Sequence, residues 1–272
     1  MPSLNEITVT QLARLIGTPA APVIIDVRIE EDFADEPNLI PTAIRHPHHV
    51  IASLAPQLVG QNVVVYCQQG KKLSQGAAAL LRYHRIAAES LQGGYFAWRD
   101  CAEMLVPAVK IPRANPAESS LWVTRHRPKI DRMACPWLIR RFVDRDARFL
   151  FVAPGEVLSV AEKFDATPFD IDGVFWSHRG DKCTFDTMLD EFGLISEPLS
   201  RLAVIVRGAD TNRHDLAPEV AGLLAASLGL SRMFRDDIEQ IEAGMGLYDA
   251  FYRWSRDAQE ESHDWPQPGV GA

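Results

Sequence analysis

The chain has 272 residues, 47% hydrophobic and 24% charged, enough for one large domain or two ordinary ones with a sizeable core. Its formal net charge of −8 argues against general binding to nucleic acid or anionic lipid. No apolar run reaches the length of a membrane span, and the start of the chain lacks the basic and apolar segments of a signal peptide. The four cysteines, Cys67, Cys101, Cys135 and Cys183, form no CxxC pair. That argues against a disulfide framework or a zinc ribbon and suits a reducing cytosol, so a cytoplasmic location is expected.

In chain order, Thr8 to Ile16 reads as a capped helix and Val23 to Val27 as a buried strand. A short acidic helix is expected at Glu30 to Phe33 and another helix at Val50 to Leu58. Val63-Val64-Val65-Tyr66 reads as a second buried strand. Ser74 opens an alanine- and leucine-rich helix reaching Arg85. A short strand at Ala88 to Leu91 precedes Gly93-Gly94. Strands separated by helices imply a parallel sheet with helices on both faces, and such sheets bind ligands beyond the carboxyl ends of their strands.

Cys67 falls at such an end, and so does Asp26-Val27-Arg28. Between Cys67 and the helix lies the polar loop Gln68-Gln69-Gly70-Lys71-Lys72-Leu73. Backbone N–H groups of a strand-to-helix loop converge on one point, where the helix N-terminus adds partial positive charge. Such a cradle suits a tetrahedral anion or a nucleophilic thiolate.

Residues 1 to about 105 resemble a rhodanese domain. The likeness rests on Ile25-Asp26-Val27-Arg28, Ile40-Pro41-Thr42-Ala43-Ile44, the Cys67 loop, and Leu91-Gln92-Gly93-Gly94-Tyr95-Phe96-Ala97-Trp98. It implies that Cys67 takes sulfane sulfur from a donor such as thiosulfate and passes it from a persulfide to a thiol or protein acceptor. The amides from Gln68 to Leu73 would stabilise the anionic sulfur, Lys71 and Lys72 would attract the donor, and Asp26 and Arg28 would support the site. Three residues depart from the family pattern. Lys72 stands where arginine is common, Leu73 where serine is, and Thr42 where glycine is. A lysine lacks the planar fork that grips an oxyanion with two bonds.

Residues 107–120 carry three prolines and read as an extended linker. The expected division is residues 1–106, this linker, a second domain at 121–260, and a tail at 261–272 whose Pro266-Gln267-Pro268-Gly269 end is expected to fray. Residues 1–120 carry 10 basic and 11 acidic groups, and residues 121–272 carry 18 and 25. Within the second part, residues 125–148 hold 8 basic and 3 acidic groups. Leu121-Trp122-Val123-Thr124 reads as a strand. The helix that follows, from Asp131 or Pro136, would gather Arg125, Lys129 and Arg132 at its start as an anion site, with Trp137, Leu138 and Phe142 on one side. Cys135 reads as a core cysteine.

Phe169 to Phe185 reads as strands or loops around a Gly-Asp turn, with Thr184 capping a helix to Phe192. Leu202-Ala203-Val204-Ile205-Val206-Arg207-Gly208-Ala209-Asp210 reads as a buried strand ending in a polar loop, and Pro218 to Leu228 as an apolar helix. A last helix, about Asp236 to Asp257, carries an apolar stripe of Ile238, Ile241, Met245, Tyr248 and Tyr252. His178, Cys183, Asp210 and His214 are weak metal-ligand candidates by residue type, at spacings of no standard zinc signature. His178 and Asp210 read better as polar anchors of loops. No flavin or nicotinamide fingerprint is present, and no cofactor is expected.

Residues 121 to about 258 resemble the C-terminal domain of ChrB-type chromate-resistance proteins. The likeness lies in Trp122-Val123-Thr124, Arg127-Pro128-Lys129-Ile130-Asp131-Arg132, Cys135 to Phe142, Ser177-His178-Arg179-Gly180 and Arg207-Gly208-Ala209-Asp210-Thr211. It implies a link to chromate or a similar oxyanion. The expected whole is an α/β rhodanese-like parallel sheet with helices on both faces, followed by a helix-rich α+β domain. The expected function is a sulfurtransferase joined to an oxyanion-response domain. The alternative is a non-catalytic chromate or redox sensor in which Arg140 and Arg141 meet DNA phosphates or a protein partner. The net acidity and the lack of a clear helix-turn-helix argue against nucleic acid.

Overall fold

The computed structural model describes residues 5–113 and 119–261. Residues 114–118 of the expected linker, and the tail from residue 262, lie outside the described residues. The first half runs β1 (Glu6–Ile7), α1 (Val9–Leu15), β2 (Val23–Asp26), α2 (Glu30–Asp35), β3 (Asn38–Leu39) and β4 (Ile44–Arg45). A kinked 3-10 segment at His48–Gln57 leads to β5 (Asn62–Tyr66), α3 (Lys72–Tyr83), β6 (Ala87–Leu91), α4 (Gly94–Asp100) and β7 (Val106–Pro107). The expected helix at Val50 to Leu58 is this 3-10 segment, with Pro56 inside it. Proline removes the N–H that an α-helix needs there.

The main sheet has the order β1-β6-β5-β2-β4, and every pairing is parallel. All of β2 is buried, as is β5 from Val63 to Tyr66. A parallel sheet covered on both faces requires such unbroken apolar strands. Each fully buried Ile or Val contributes about 1.5–3 kcal/mol. At the N-terminus of α1 the Thr8 side chain accepts from Gln11 N, and Gln11 Oε1 accepts from Thr8 N at 2.9 Å. This reciprocal cap explains where the helix begins.

The first residues of the expected linker are packed rather than extended. β7 pairs antiparallel with β3, Ile111 joins the core, and Lys110 Nζ lies 2.6 Å from Glu191 Oε2.

The second half contains β8 (Leu121–Arg125), α5 (Ile130–Leu138), β9 (Arg148–Val152), α6 (Val157–Phe164) and β10 (Thr167–Pro168). Helices α7 (Thr184–Phe192), α8 (Glu197–Asp210), α9 (Val220–Met233) and α10 (Asp237–Asp257) follow. Its three strands form a parallel sheet in the order β10-β8-β9. Helix α5 buries all but one of its residues and ends in a π-turn at Ile139–Val143, just after Pro136. Trp137, near its end, lies 5.6–6.4 Å from the rings of Phe142, Phe185, Tyr248 and Tyr252.

Three expectations are corrected here. Leu202 to Val206 is part of helix α8, not a strand. Its β-branched run suggests a strand, but buried Leu199, Leu202, Val206 and Ala209 recur at helical spacing, and the Ser196 side chain caps the start. Cys183, not Thr184, holds the cap position of α7, where Asp186 Oδ2 accepts from Cys183 N at 3.0 Å. Ile238 is 42% exposed, because it lies in the first turn of α10, ahead of the buried stripe.

The two halves share one core. Leu12, Ile16 and Trp98 belong to the same apolar cluster as Trp122, Trp137 and Phe142. Thr42 N donates to Phe142 O at 3.1 Å, and Arg256 Nη1 donates to Arg14 O at 3.1 Å.

Candidate functional site

Cys67 follows the last residue of β5, near the middle of the main sheet, and Asp26 ends the neighbouring strand β2. The Cys67 side is 5% exposed. The loop from Gln68 to Lys71 then enters α3, whose first turn contains Ser74. Ser74 Oγ lies 3.2 Å from Cys67 Sγ and 3.2 Å from Lys71 O, to which it donates. The first N–H groups of a helix have no partner within it. The Ser74 contact brings that end of α3 against the sulfur.

The loop is braced by α4. Tyr95 N donates to Cys67 O at 2.9 Å and Phe96 N to Gln68 O at 3.0 Å. Gly70 and Gly94 pack backbone to backbone beneath it. Leu73, where the family often has serine, is half-buried and packs on the apolar cluster that includes Val27, Cys67 and Ala77. Gln68 is half-buried with Oε1 lacking a partner among the described residues, whereas Gln69, Lys71 and Lys72 are exposed. Neither lysine makes an ion pair among the described residues, so both charges face solvent.

Asp26 and Arg28 form an ion pair at 2.7 Å with both side chains wholly buried. Arg28 also donates to Glu36 O and Asn38 O and lies 4.0 Å over the Tyr95 ring. These contacts tie the pair to Glu36, Asn38 and α4. Through Tyr95 they hold α4, and through α4 the Cys67 carbonyl.

In the second domain the structure rearranges the expected anion site. Arg125 and Arg132 both reach Asp170 Oδ2, each at 3.2 Å, and Arg132 also donates to Arg125 O and His126 O. Lys129 is exposed at the cap of α5. Two of the three expected cations are therefore neutralised by a buried carboxylate that sequence spacing did not reveal. Arg140 and Arg141, considered for phosphate contact, pair with Glu242 at 2.6 Å and Asp249 at 2.8 Å.

Of the four weak metal candidates, only His178 and Asp210 meet. His178 Nε2 lies 3.1 Å from Asp210 Oδ2. Cys183 is buried, and its Sγ donates to Asp186 Oδ2. Burial pushes its thiol, and that of Cys135, well up from the ordinary range. His214 is exposed in the turn after α8. In place of Cys183 and His214, Asp131 and Asp170 meet His178, each at 3.5 Å.

The carboxylates of Asp131, Asp170 and Asp210 around it push the His178 imidazole up to about 12. Burial pushes Asp131 up to about 7. Burial also works to raise Asp170, but the contact with His178, the hydrogen bond from Thr184 and the charges of Arg132 and Arg125 hold it below its ordinary value. Asp131, Asp170 and Thr184 were missed as a group. The available signal was the carboxylates within the apolar stretches Ile130-Asp131 and Phe169-Asp170-Ile171.

Residues 8–101 match the family model of the rhodanese-like domain, and residues 122–255 match that of ChrB, C-terminal domain. The chain therefore joins a rhodanese-like domain to a ChrB C-terminal domain. Over 149 residues it is 36% identical to Protein ChrB of Cupriavidus metallidurans, an alignment covering 53% of this chain and 44% of that protein. The chain thus spans under half the length of that relative. Over 96 residues it is 27% identical to a sulfurtransferase of Allochromatium vinosum, covering 35% of this chain and 88% of that one. Among solved structures, a rhodanese-related protein from Thermoplasma volcanium is 19% identical, with 38% of this chain and 97% of that chain covered and a TM-score of 0.33. A rhodanese-like domain protein from Staphylococcus aureus is 27% identical, with 35% and 91% covered and a TM-score of 0.31. Among the described residues no helix is long and apolar enough to cross a membrane.

Proposed function

We propose that the first domain is a rhodanese-type sulfurtransferase acting through Cys67, and that the second couples it to a response to chromate or a similar oxyanion in the cytoplasm. The observation that carries the reading is Cys67 Sγ at the end of β5, 3.2 Å from the Ser74 hydroxyl in the first turn of α3. The thiolate attacks the outer sulfur of thiosulfate. The sulfur–sulfur bond of the donor breaks, and sulfite leaves with the electron pair. Lys71 and Lys72 raise the local concentration of the dianionic donor. The Ser74 hydroxyl and the first N–H groups of α3, which have no partner within the helix, stabilise the anionic sulfur. A thiolate acceptor then attacks the terminal sulfur of the persulfide and releases Cys67 as thiolate. One relative named ChrB and another named a sulfurtransferase each support one half of this reading.

The test is thiosulfate-to-cyanide transfer by the wild type and Cys67→Ser, with mass spectrometry for one added sulfur on Cys67. Activity and adduct are both expected in the wild type and absent from the variant. A folded, reduced wild type that takes sulfur from no sulfane donor overturns the reading and leaves a chromate or redox sensor as the better account. For such a sensor, the pairing of Arg140 and Arg141 with acidic side chains favours a contact other than duplex DNA.

A further inference from the structure

More acceptors meet His178 than one imidazole N–H can serve. Its Nε2 lies 3.5 Å from Asp131 Oδ2, 3.5 Å from Asp170 Oδ1 and 3.1 Å from Asp210 Oδ2. One N–H makes one good hydrogen bond, and 3.5 Å is beyond its usual reach. The spacings approach another arrangement. Ligand atoms each about 2.1 Å from a first-row ion are separated by roughly 3.0–3.4 Å along the edges of an octahedron or tetrahedron. The ligand atoms of Asp131, Asp170 and His178 all lie within 4.8 Å of one another, so a small movement would close them on one ion.

Two independent features support a cation here. Asp131 is 1% exposed, and among the described residues its Oδ1 has no hydrogen-bond partner. A buried carboxylate oxygen left unpaired is costly unless a positive charge faces it. In addition, a single residue orients two of the ligand oxygens. Thr184 N donates to Asp131 Oδ2 at 2.6 Å, and its Oγ1 donates to Asp170 Oδ1 at 2.8 Å. Such outer contacts fix the geometry of metal-bound carboxylates.

We propose that Asp131, Asp170 and His178 form a binding site for one divalent first-row metal ion of the manganese or ferrous kind. An oxygen-rich set with one imidazole and no thiolate favours those ions. The ion takes the place of the Nε2 proton. Arg125 and Arg132 occupy Asp170 Oδ2, so Asp170 binds through Oδ1 alone. Water completes the shell on the side where His178 is 42% exposed.

The test uses the full chain, stripped with chelator and titrated with Mn2+ alone, while paramagnetic resonance counts the free ion. One Mn2+ per chain is expected. His178→Gln, at a part-exposed position, should weaken binding at least about tenfold, and Asp131→Asn should also weaken it. Thermal melts establish that the variants are folded, and if Asp131→Asn is not, His178→Gln decides. Cys67→Ser should bind Mn2+ like the wild type, which separates this result from sulfur transfer. No stoichiometric binding by folded wild type, or equal binding by His178→Gln, overturns the proposal.

Discussion

Gly94 and Gly70 lie so close that a Cβ on Gly94 would stand 2.3 Å from Gly70 N and 2.2 Å from Cys67 O. Gly94 also has φ +62, a conformation unfavourable for other residues. The loop carrying Cys67 thus sits directly on the start of α4. Gly94→Ala is expected to destabilise the protein by more than about 2 kcal/mol and to displace the Cys67 carbonyl. Urea unfolding checks the first effect, and the yield of persulfide in the remaining folded protein checks the second. Gly76→Ala, in the middle of α3 with open space around it, is the control, expected to be neutral or stabilising by up to about 1 kcal/mol.

Ser74 is the side chain on the sulfur. With its proton given to Lys71 O, its oxygen can accept from the thiol; turned the other way, it can donate to a thiolate. Ser74→Ala should lower kcat/KM for sulfur transfer about tenfold while costing about 1 kcal/mol of stability. Steady-state kinetics at several thiosulfate concentrations, with a denaturant curve, would show both. Unchanged kinetics would remove Ser74 from the proposed site.

The Asp26–Arg28 pair is wholly buried, so its partners matter most when one is missing. Arg28→Ala would leave the Asp26 carboxylate buried without its cation and remove the cover on Tyr95. A loss of about 3–5 kcal/mol is expected. The double variant Asp26→Leu with Arg28→Met should recover part of that loss, because no lone charge remains inside. Comparing unfolding midpoints of the single and double variants measures the difference.

Thr42 stands where related domains commonly have glycine, and it adopts φ +64. A β-branched residue is strained there. Its N–H is held by Phe142 O of the second domain at 3.1 Å. Thr42→Gly keeps that hydrogen bond and relieves the strain, but it also loosens the unfolded chain. A net gain of about 0.5–1 kcal/mol is expected, read as a rise in melting temperature. A loss instead would mean that the Thr42 side chain itself packs the domain junction.

Sequence alone determined the parallel sheet and the place of Cys67. Both follow from local signals. Val63 to Tyr66 must be covered on two faces, and Ser74 onward is helical by composition, so Cys67 has to lie between a strand end and a helix start. Tertiary structure decided the rest. Helix α8 overrode the β-branched run at Val204 to Val206 because neighbouring helices bury its faces at helical spacing. Arg125 and Arg132 met Asp170 rather than a free anion, because folding brings the segment after β10 beside the start of α5. His178 gathered Asp131, Asp170 and Asp210 from three separate segments. No sequence period encodes that meeting. It exists only where packing brings distant chain segments together and burial makes their unpaired charges matter.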